Sequence, residues 1–328
     1  MPEVNSSDWD EFLRRQKNPH LLQTGRWGQL KSAFGWEVTH VVLGDCGAQI
    51  LFRRSAFGFS LAYIPRGPVG GDWAPLLPEI DRICRAKRAV LLKVEPDVWL
   101  DDGDNNNPAP PGFIPSPDPI QPPRTITIPI GGSEEEILGR MKQKTRYNIS
   151  LAARSGIEVA PSSDVTVFHK MVVETGDRSE FGIHSLAYYK AAYDLFHPLG
   201  MCELFLARYG SEAIAGLMVF ALGERAWYFY GASTEKERSR MPAYLLQWEA
   251  IRWARRSGCV DYDLWGVPDE DLGKLEANFT ARHDGLWGVY RFKRGFGGEL
   301  RRSAGPWDRI YQPALYRVYR WSAQRRSD

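Results

Sequence analysis

Cysteine is scarce: the 328 residues hold four (Cys46, Cys84, Cys202, Cys259), and no two stand in a C-x-x-C spacing. That excludes a disulfide framework and a zinc site built on paired thiols, and scattered reduced thiols fit a cytoplasmic protein. Histidine is thin as well, six residues with no H-x-x-x-H pair, and there is no G-x-S-x-G elbow. Metal-hydrolase and serine-hydrolase chemistry are thereby disfavoured, and no metal is expected. Long apolar runs are missing too. The longest, around residues 217–222, falls far short of the roughly 20 residues a membrane span needs. The polar, acidic start over residues 1–11 shows no basic-then-apolar leader pattern. Net charge is only +2, so a nucleic-acid partner would have to be met by local clusters of cations.

What is present suits two domains of ordinary size, and the twelve tryptophans suggest amphipathic surfaces or grooves beyond core filling. Residues 8–16 read as a short helix. Thr24 is placed to cap a second helix in which Trp27, Leu30 and Phe34 recur at helical spacing. Lys31 lies four residues after Trp27; contact with a phosphate or carboxylate and simple snorkelling beside the indole weigh equally. Strands are expected over 38–43, 48–53 and 59–64, the last stopped by Pro65-Arg66-Gly67-Pro68. Arg66 is held there on a loop, presented to an anion or to solvent. An amphipathic helix over 76–87 precedes a buried-type strand, 89–94, that ends at Glu95-Pro96-Asp97. A carboxylate at a strand's C-terminal end is a frequent active-site placement and an equally frequent turn feature. Residues 101–123, rich in Asp, Asn and Pro, read as a long loop without regular structure near a domain boundary.

The second half opens with a strand over 125–130. Ser133-Glu134-Glu135-Glu136 is a capping box that starts one helix running to about Arg154. Leu138, Met141, Thr145, Ile149 and Ala152 share an arc of roughly 80° on it. Arg140, Lys142, Lys144, Arg146 and Arg154 occupy the remaining surface beside Tyr147 and Asn148, a pattern suited to a phosphate backbone. Helices follow over 167–178 and 186–196, then strands over 203–209, 214–222 and 226–230. Met241-Pro242 opens a helix to Ser257-Gly258, and a strand over 260–265 is stopped by Gly266-Val267-Pro268. Residues 287–298, W-G-V-Y-R-F-K-R-G-F-G-G, read as an amphipathic strand with Lys293 on one face and Phe292 on the other. A lysine among aromatics is a compact, fixed ammonium that suits an oxygen turning negative during acyl transfer; a plain solvent-facing strand is the alternative.

Residues 38–97 and 203–268 follow the same order of strands, turn, helix and buried strand ending in a proline turn, which points to a duplicated α+β unit. The layout matches the acyltransferase fold that usually binds acetyl-CoA, where a glycine-rich turn before the central helix cradles pyrophosphate. Here that turn reads E-R-S-R-M-P-A without glycine. The CoA reading is weakened, and no cofactor is expected.

In their order and spacing, L-L-Q-T-G-R-W-G-Q-L-K, Y-I-P-R-G-P-V, K-V-E-P-D, M-K-Q-K-T-R-Y-N-I-S-L-A, E-T-G-D-R, W-Y-F-Y-G-A-S, Y-D-L-W-G-V-P and Y-R-F-K-R-G-F-G-G resemble the Fem (FemABX) family of peptidoglycan peptidyltransferases over nearly the whole chain. The resemblance implies an α+β fold of two acetyltransferase-like (GNAT-type) domains with mixed, mostly antiparallel twisted sheets and a cleft between them. Residues 1–124 with 303–328 would form the precursor-binding domain and 125–302 the acyl-transfer domain. No long heptad segment appears, so a coiled-coil arm is not expected. The implied activity moves an amino acid from aminoacyl-tRNA to the side-chain amine of a peptidoglycan precursor stem peptide, either UDP-MurNAc-pentapeptide or lipid II. It would work in the cytoplasm, with room for peripheral contact at the inner face of the membrane, and without DNA. By the same resemblance Lys31, beside Trp27, binds precursor phosphate, and Tyr189 and Tyr230 line the substrate channel. Glu95 matches an acidic position once considered as a base, and Phe292 and Lys293 match a Phe-Lys pair implicated in acyl transfer. Arg140, Lys142, Lys144, Arg146 and Arg154 become candidates for tRNA contact. Ser185 stands where a known member carries a phosphate-binding arginine; Arg66 is the candidate substitute, or the carrier group differs. Two other readings stay open: a GNAT-fold ligase acting on a different amine, such as a secondary metabolite or an exopolysaccharide-linked product, and a non-catalytic polyanion-binding relative.

Overall fold

A computed structural model describes residues 2–55, 57–100, 109–179 and 182–327. The chain divides into two units, one formed by residues up to Pro123 together with those from Arg302 onward, the other by Arg124–Arg301. The first unit begins with β1 (Glu3–Val4), α1 (Ser6–Arg14), α2 (Gly25–Ala33), β2 (Glu37–Leu43), β3 (Cys46–Arg54), β4 (Ser60–Pro65), α3 (Leu77–Ala86), β5 (Ala89–Glu95) and β6 (Ile114–Pro115). The second holds β7 (Arg124–Pro129), α4 (Glu134–Arg140), α5 (Gln143–Arg154), β8 (Ile157–Pro161), α6 (Val165–Ser179), α7 (Leu186–Phe196), β9 (Cys202–Tyr209), β10 (Glu212–Leu222), β11 (Arg225–Ser233), α8 (Pro242–Arg256), β12 (Asp261–Asp263), α9 (Leu272–Asn278), α10 (Trp287–Lys293) and β13 (Glu299–Arg302). β14 (Trp307–Ile310) and α11 (Pro313–Ser327) return to the first unit.

Each unit is built on a seven-stranded mixed sheet, ordered β1-β2-β3-β4-β5-β14-β6 in one and β13-β7-β12-β11-β10-β9-β8 in the other. The two follow one plan. Three antiparallel strands (β2–β4, β9–β11) lead through a helix (α3, α8) to a strand parallel to the third, β5 on β4 and β12 on β11. A last antiparallel strand, β14 or β7, then closes on it. The duplicated architecture expected from the strand order is therefore present. The crossover helices carry the apolar stripes that demand this packing: Ile80, Ile83 and Cys84 on α3, and Leu246, Ala250, Ile251 and Ala254 on α8, all buried against their own sheets. All four cysteines are buried thiols. Among the described residues no helix is long and apolar enough to cross a membrane.

Three expectations need correction. Residues 287–293 are not a strand but a helix, and a 3-10 turn, Arg294–Phe296, continues it. The buried residues are Trp287, Tyr290 and Lys293, spaced by three, so Lys293 shares its face with these two aromatics. The helix expected from Ser133 to Arg154 is broken: Met141 and Lys142 are extended, with ψ of 149° and 145°. The Lys142 amide donates to the Gly295 carbonyl (2.9 Å), and Gly297 approaches so closely that a Cβ on it would lie 2.2 Å from the Arg140 carbonyl oxygen. The glycine-bearing turn after α10 thus occupies the break. Within 101–123, residues 101–108 lie outside the described residues, but the remainder is not devoid of regular structure. Ile114 and Pro115 pair with Asp308 and Trp307.

Candidate active site

The second unit concentrates its chemistry at the end of β12. β11 and β12 run in parallel register only from Arg225↔Asp261 to Trp227↔Asp263, after which β12 ends and β11 continues to Ser233. Opposite β10 the register shifts so that Tyr228 pairs with Val219 and Tyr230 with Met218, leaving Phe229 as the extra residue of a bulge. Where β12 stops, Asp263 accepts hydrogen bonds from the Trp265 amide (2.7 Å) and from the Thr125 hydroxyl. Trp265 takes a left-handed φ of 60°, sparsely populated for a bulky residue. The turn aims two successive carbonyls at one point. Lys293 Nζ donates to both, to Trp265 O at 2.9 Å and to Gly266 O at 2.8 Å, and lies 5.6 Å from the centroid of the Tyr228 ring.

Lys293 is 5% exposed. Burial pulls its ammonium down to about 7, against the opposing pull of the Asp263 carboxylate. Two of the three ammonium protons meet the carbonyls, leaving one N–H, or after deprotonation one lone pair, for a further partner. Gly231 makes room for the Tyr228 hydroxyl, which would lie 1.9 Å from a Cβ there. α10 is also held by Glu276 of α9, which accepts from the Tyr290 hydroxyl (2.7 Å) and from Arg294. Arg294 is the principal cause of the fall of that carboxyl to about 2.

The structure brings some expected residues together and separates others. Tyr189 and Tyr230 meet edge to face, ring centroids 5.1 Å apart, within a cluster that includes His184 and Tyr188; burial raises both phenols. Phe292 packs its ring against Tyr244 (4.9 Å) and Phe296 (5.1 Å). Ser185 is the N-cap of α7, its hydroxyl accepting from the Tyr188 amide. Arg140 donates to the carbonyls of Pro129 and Gly131, and Arg146 to those of Leu138 and Met141; both brace the helix break. Lys142 lies 3.9 Å from Glu276. Lys144 and Arg154 are exposed on α5 along one stripe with Tyr147.

In the first unit, the Thr24 hydroxyl caps α2 by accepting from the Trp27 amide. Lys31 lies 4.8 Å from the Trp27 ring, and burial lowers its ammonium to about 8. Arg66, left-handed at φ 47° and buried, donates to the Pro122 carbonyl (2.8 Å). Glu95, 3% exposed, accepts from the Tyr63 hydroxyl and from the amides of Ile120 and Gln121. Burial raises its carboxyl, opposed by those bonds and by Arg66. Its oxygens anchor the segment before Pro123. Asp263, Trp265, Tyr228 and Thr125 were not singled out from sequence. The one local signal was D-L-W-G-V-P, in which an aromatic followed by Gly and Pro marks a sharp turn but does not reveal where its carbonyls point.

A mixed sheet used twice, each copy with a crossover helix, defines a fold of the tandem GNAT-like class. The chain belongs to the FemAB family, whose pattern matches residues 117–209 and 198–323. It is similar to the lipid II:glycine glycyltransferase of Staphylococcus haemolyticus, with 26% identity across 96% of this chain and 94% of that one. The alignment spans 406 positions, so the relative contains stretches without counterpart here. Among solved structures, FemX superposes with a TM-score of 0.82 at 23% identity, covering 97% of this chain and 99% of that one. A tandem GNAT protein from the clavulanic acid biosynthesis pathway superposes at 0.55 and 11% identity, covering 93% and 96%.

Proposed function

We propose that the protein is an aminoacyltransferase that moves an amino acid from aminoacyl-tRNA to the side-chain amine of a peptidoglycan precursor stem peptide, building an interpeptide bridge. The observation that carries this reading is Lys293, a buried amine held by two backbone carbonyls at the end of β12, in a chain that aligns over 96% of its length with a lipid II:glycine glycyltransferase. An aminoacyl ester is already activated, so a neutral, aligned acceptor amine attacks without a strong protein base, and positioning supplies much of the rate. The carbon–nitrogen bond forms as the ester carbonyl becomes tetrahedral. The remaining N–H of Lys293 stabilises its oxyanion, and collapse expels the tRNA 3′ oxygen, which takes up the proton lost by the amine. Tyr189 and Tyr230 supply an aromatic wall for substrate, Lys31 on Trp27 a cation for precursor phosphate, and Lys144, Tyr147 and Arg154 a basic, stacking stripe for RNA.

Mass spectrometry of lipid II and UDP-MurNAc-pentapeptide after incubation with charged total tRNA tests this. The expected result is a mass increase of whole amino-acid residues, abolished by RNase. One observation favours a second reading: position 185 is a serine, which offers no cation to a phosphate, and its hydroxyl is already engaged in capping α7. A ligase acting on a different amine would show RNase-sensitive transfer to neither precursor.

A further inference from the structure

We propose that α11 is a docking face for an anionic lipid surface. Its fifteen residues, P-A-L-Y-R-V-Y-R-W-S-A-Q-R-R-S, include four arginines and no acid. One side is committed to the fold. Tyr316 is buried and donates its hydroxyl to Asp308 (3.0 Å), Tyr319 stacks on Tyr316, and Arg320 lies 3.5 Å from Asp118. Ala314, Arg317, Val318 and Trp321 follow at i, i+3, i+4 and i+7, one continuous stripe, and all four are exposed. Val318 is 60% and Trp321 55% exposed.

Charge complementarity and the two apolar side chains together select the occupant. Arg317, exposed on a helix that holds no acid, attracts any polyanion, but RNA or an acidic peptide gains little from covering a valine. At a bilayer, Trp321 would sit at headgroup depth and Val318 at the acyl boundary. Arg317 would extend its stem alongside and present its fork to lipid phosphate. A second copy is a poor fit, because a two-fold contact through this stripe would set Arg317 near its own copy with no acid on the helix to offset it. Docking of this kind holds whichever amine the enzyme acylates, and it suits an acceptor carried on a lipid.

Flotation of the full chain with phosphatidylcholine vesicles, with and without phosphatidylglycerol, tests the inference. The wild type is expected to float with the anionic vesicles alone and to be released by salt. Val318→Ser with Trp321→Ser should lower the bound fraction about tenfold, and Arg317→Gln about fivefold. The substituted side chains are exposed, so unchanged thermal melts certify folding. Wild-type protein that stays at the bottom of the gradient, equal binding to neutral vesicles, or variants that float like wild type would each overturn the proposal. Self-association that the double variant abolishes, without vesicle binding, would assign the face to a second copy and overturn it as well.

Discussion

At the scale of single residues, Lys293 and Glu95 show how burial decides what a charged group can do. With Lys293 titrating at about 7 and the acceptor amine near an ordinary lysine value of about 10.4, an oxyanion-stabilising ammonium gives a distinctive profile. Single-turnover transfer should rise with the neutral amine up to about pH 7. It should then level off, because each gain in neutral acceptor is offset by loss of the Lys293 proton. Lys293→Met should be slower by about a hundredfold below that point and should keep rising beyond it. A general-base role would instead give a steeper climb at low pH. Stability follows the same titration. Lys293 in the folded chain sheds a proton that the unfolded chain retains from about pH 7 to about 10, so its contribution to stability is least favourable below this window and rises through it. The Met variant should lose that contribution and keep the one that Lys31, lowered to about 8, makes in the same direction, as thermal melts across the window would show. For Glu95, Gln keeps one acceptor but turns an NH2 toward neighbours that already donate. We expect a loss of about 1–3 kcal/mol and faster amide exchange at Ile120 and Gln121. Unchanged stability with abolished turnover would make Glu95 a reacting group instead.

At the scale of elements, the turn after α10 is a packing device. Gly297 has φ 78°, and a Cβ there would strike the Arg140 carbonyl; on Gly298 it would lie 2.4 Å from the Thr127 carbonyl oxygen. Gly297→Ala should cost at least about 2 kcal/mol, seen as a lowered midpoint in urea, and should depress transfer by shifting α10. Elements with strong local signals were legible in sequence. The Thr24 cap, the Ser133 box and the alternation of β2 to β4 and β9 to β11 are where their residues place them. α10 was not. It spans seven residues, its N-cap makes no side-chain bond, and Trp, Val, Tyr and Phe favour strands. What makes it helical is the burial of Trp287, Tyr290 and Lys293 together, together with the grip of Glu276, fourteen residues upstream of Tyr290. The break between α4 and α5 was hidden for the same reason, since its cause lies at Gly295 and Gly297. For the candidate site, the lysine was legible but its setting was not: the two carbonyls depend on the left-handed Trp265, which no spacing rule announces.

At the scale of the molecule, the second unit interrupts the first. Every strand from β7 to β13 pairs within its own sheet, whereas β5 of the first unit requires β14. Across that pairing runs the fully buried ion pair between Lys93 and Asp308, 2.8 Å long, joined by Ser116 and Tyr316. Residues 124–301 expressed alone should therefore unfold in one cooperative transition, whereas residues 1–123 alone should not fold, because an ammonium stripped of its buried partner costs about 3–5 kcal/mol. Calorimetry of the two fragments checks both outcomes.

The partners in that pair stand 215 residues apart. On a ribosome adding 5–20 residues per second, Lys93 would wait roughly ten to forty seconds for its counter-ion. During that interval the inserted unit can emerge whole, so the earliest-made portion of the polypeptide is the last to be completed. Until then its half-built sheet displays the β5 edge, and nascent chains stalled shortly before Asp308 should be the ones that chaperones hold and proteases cut.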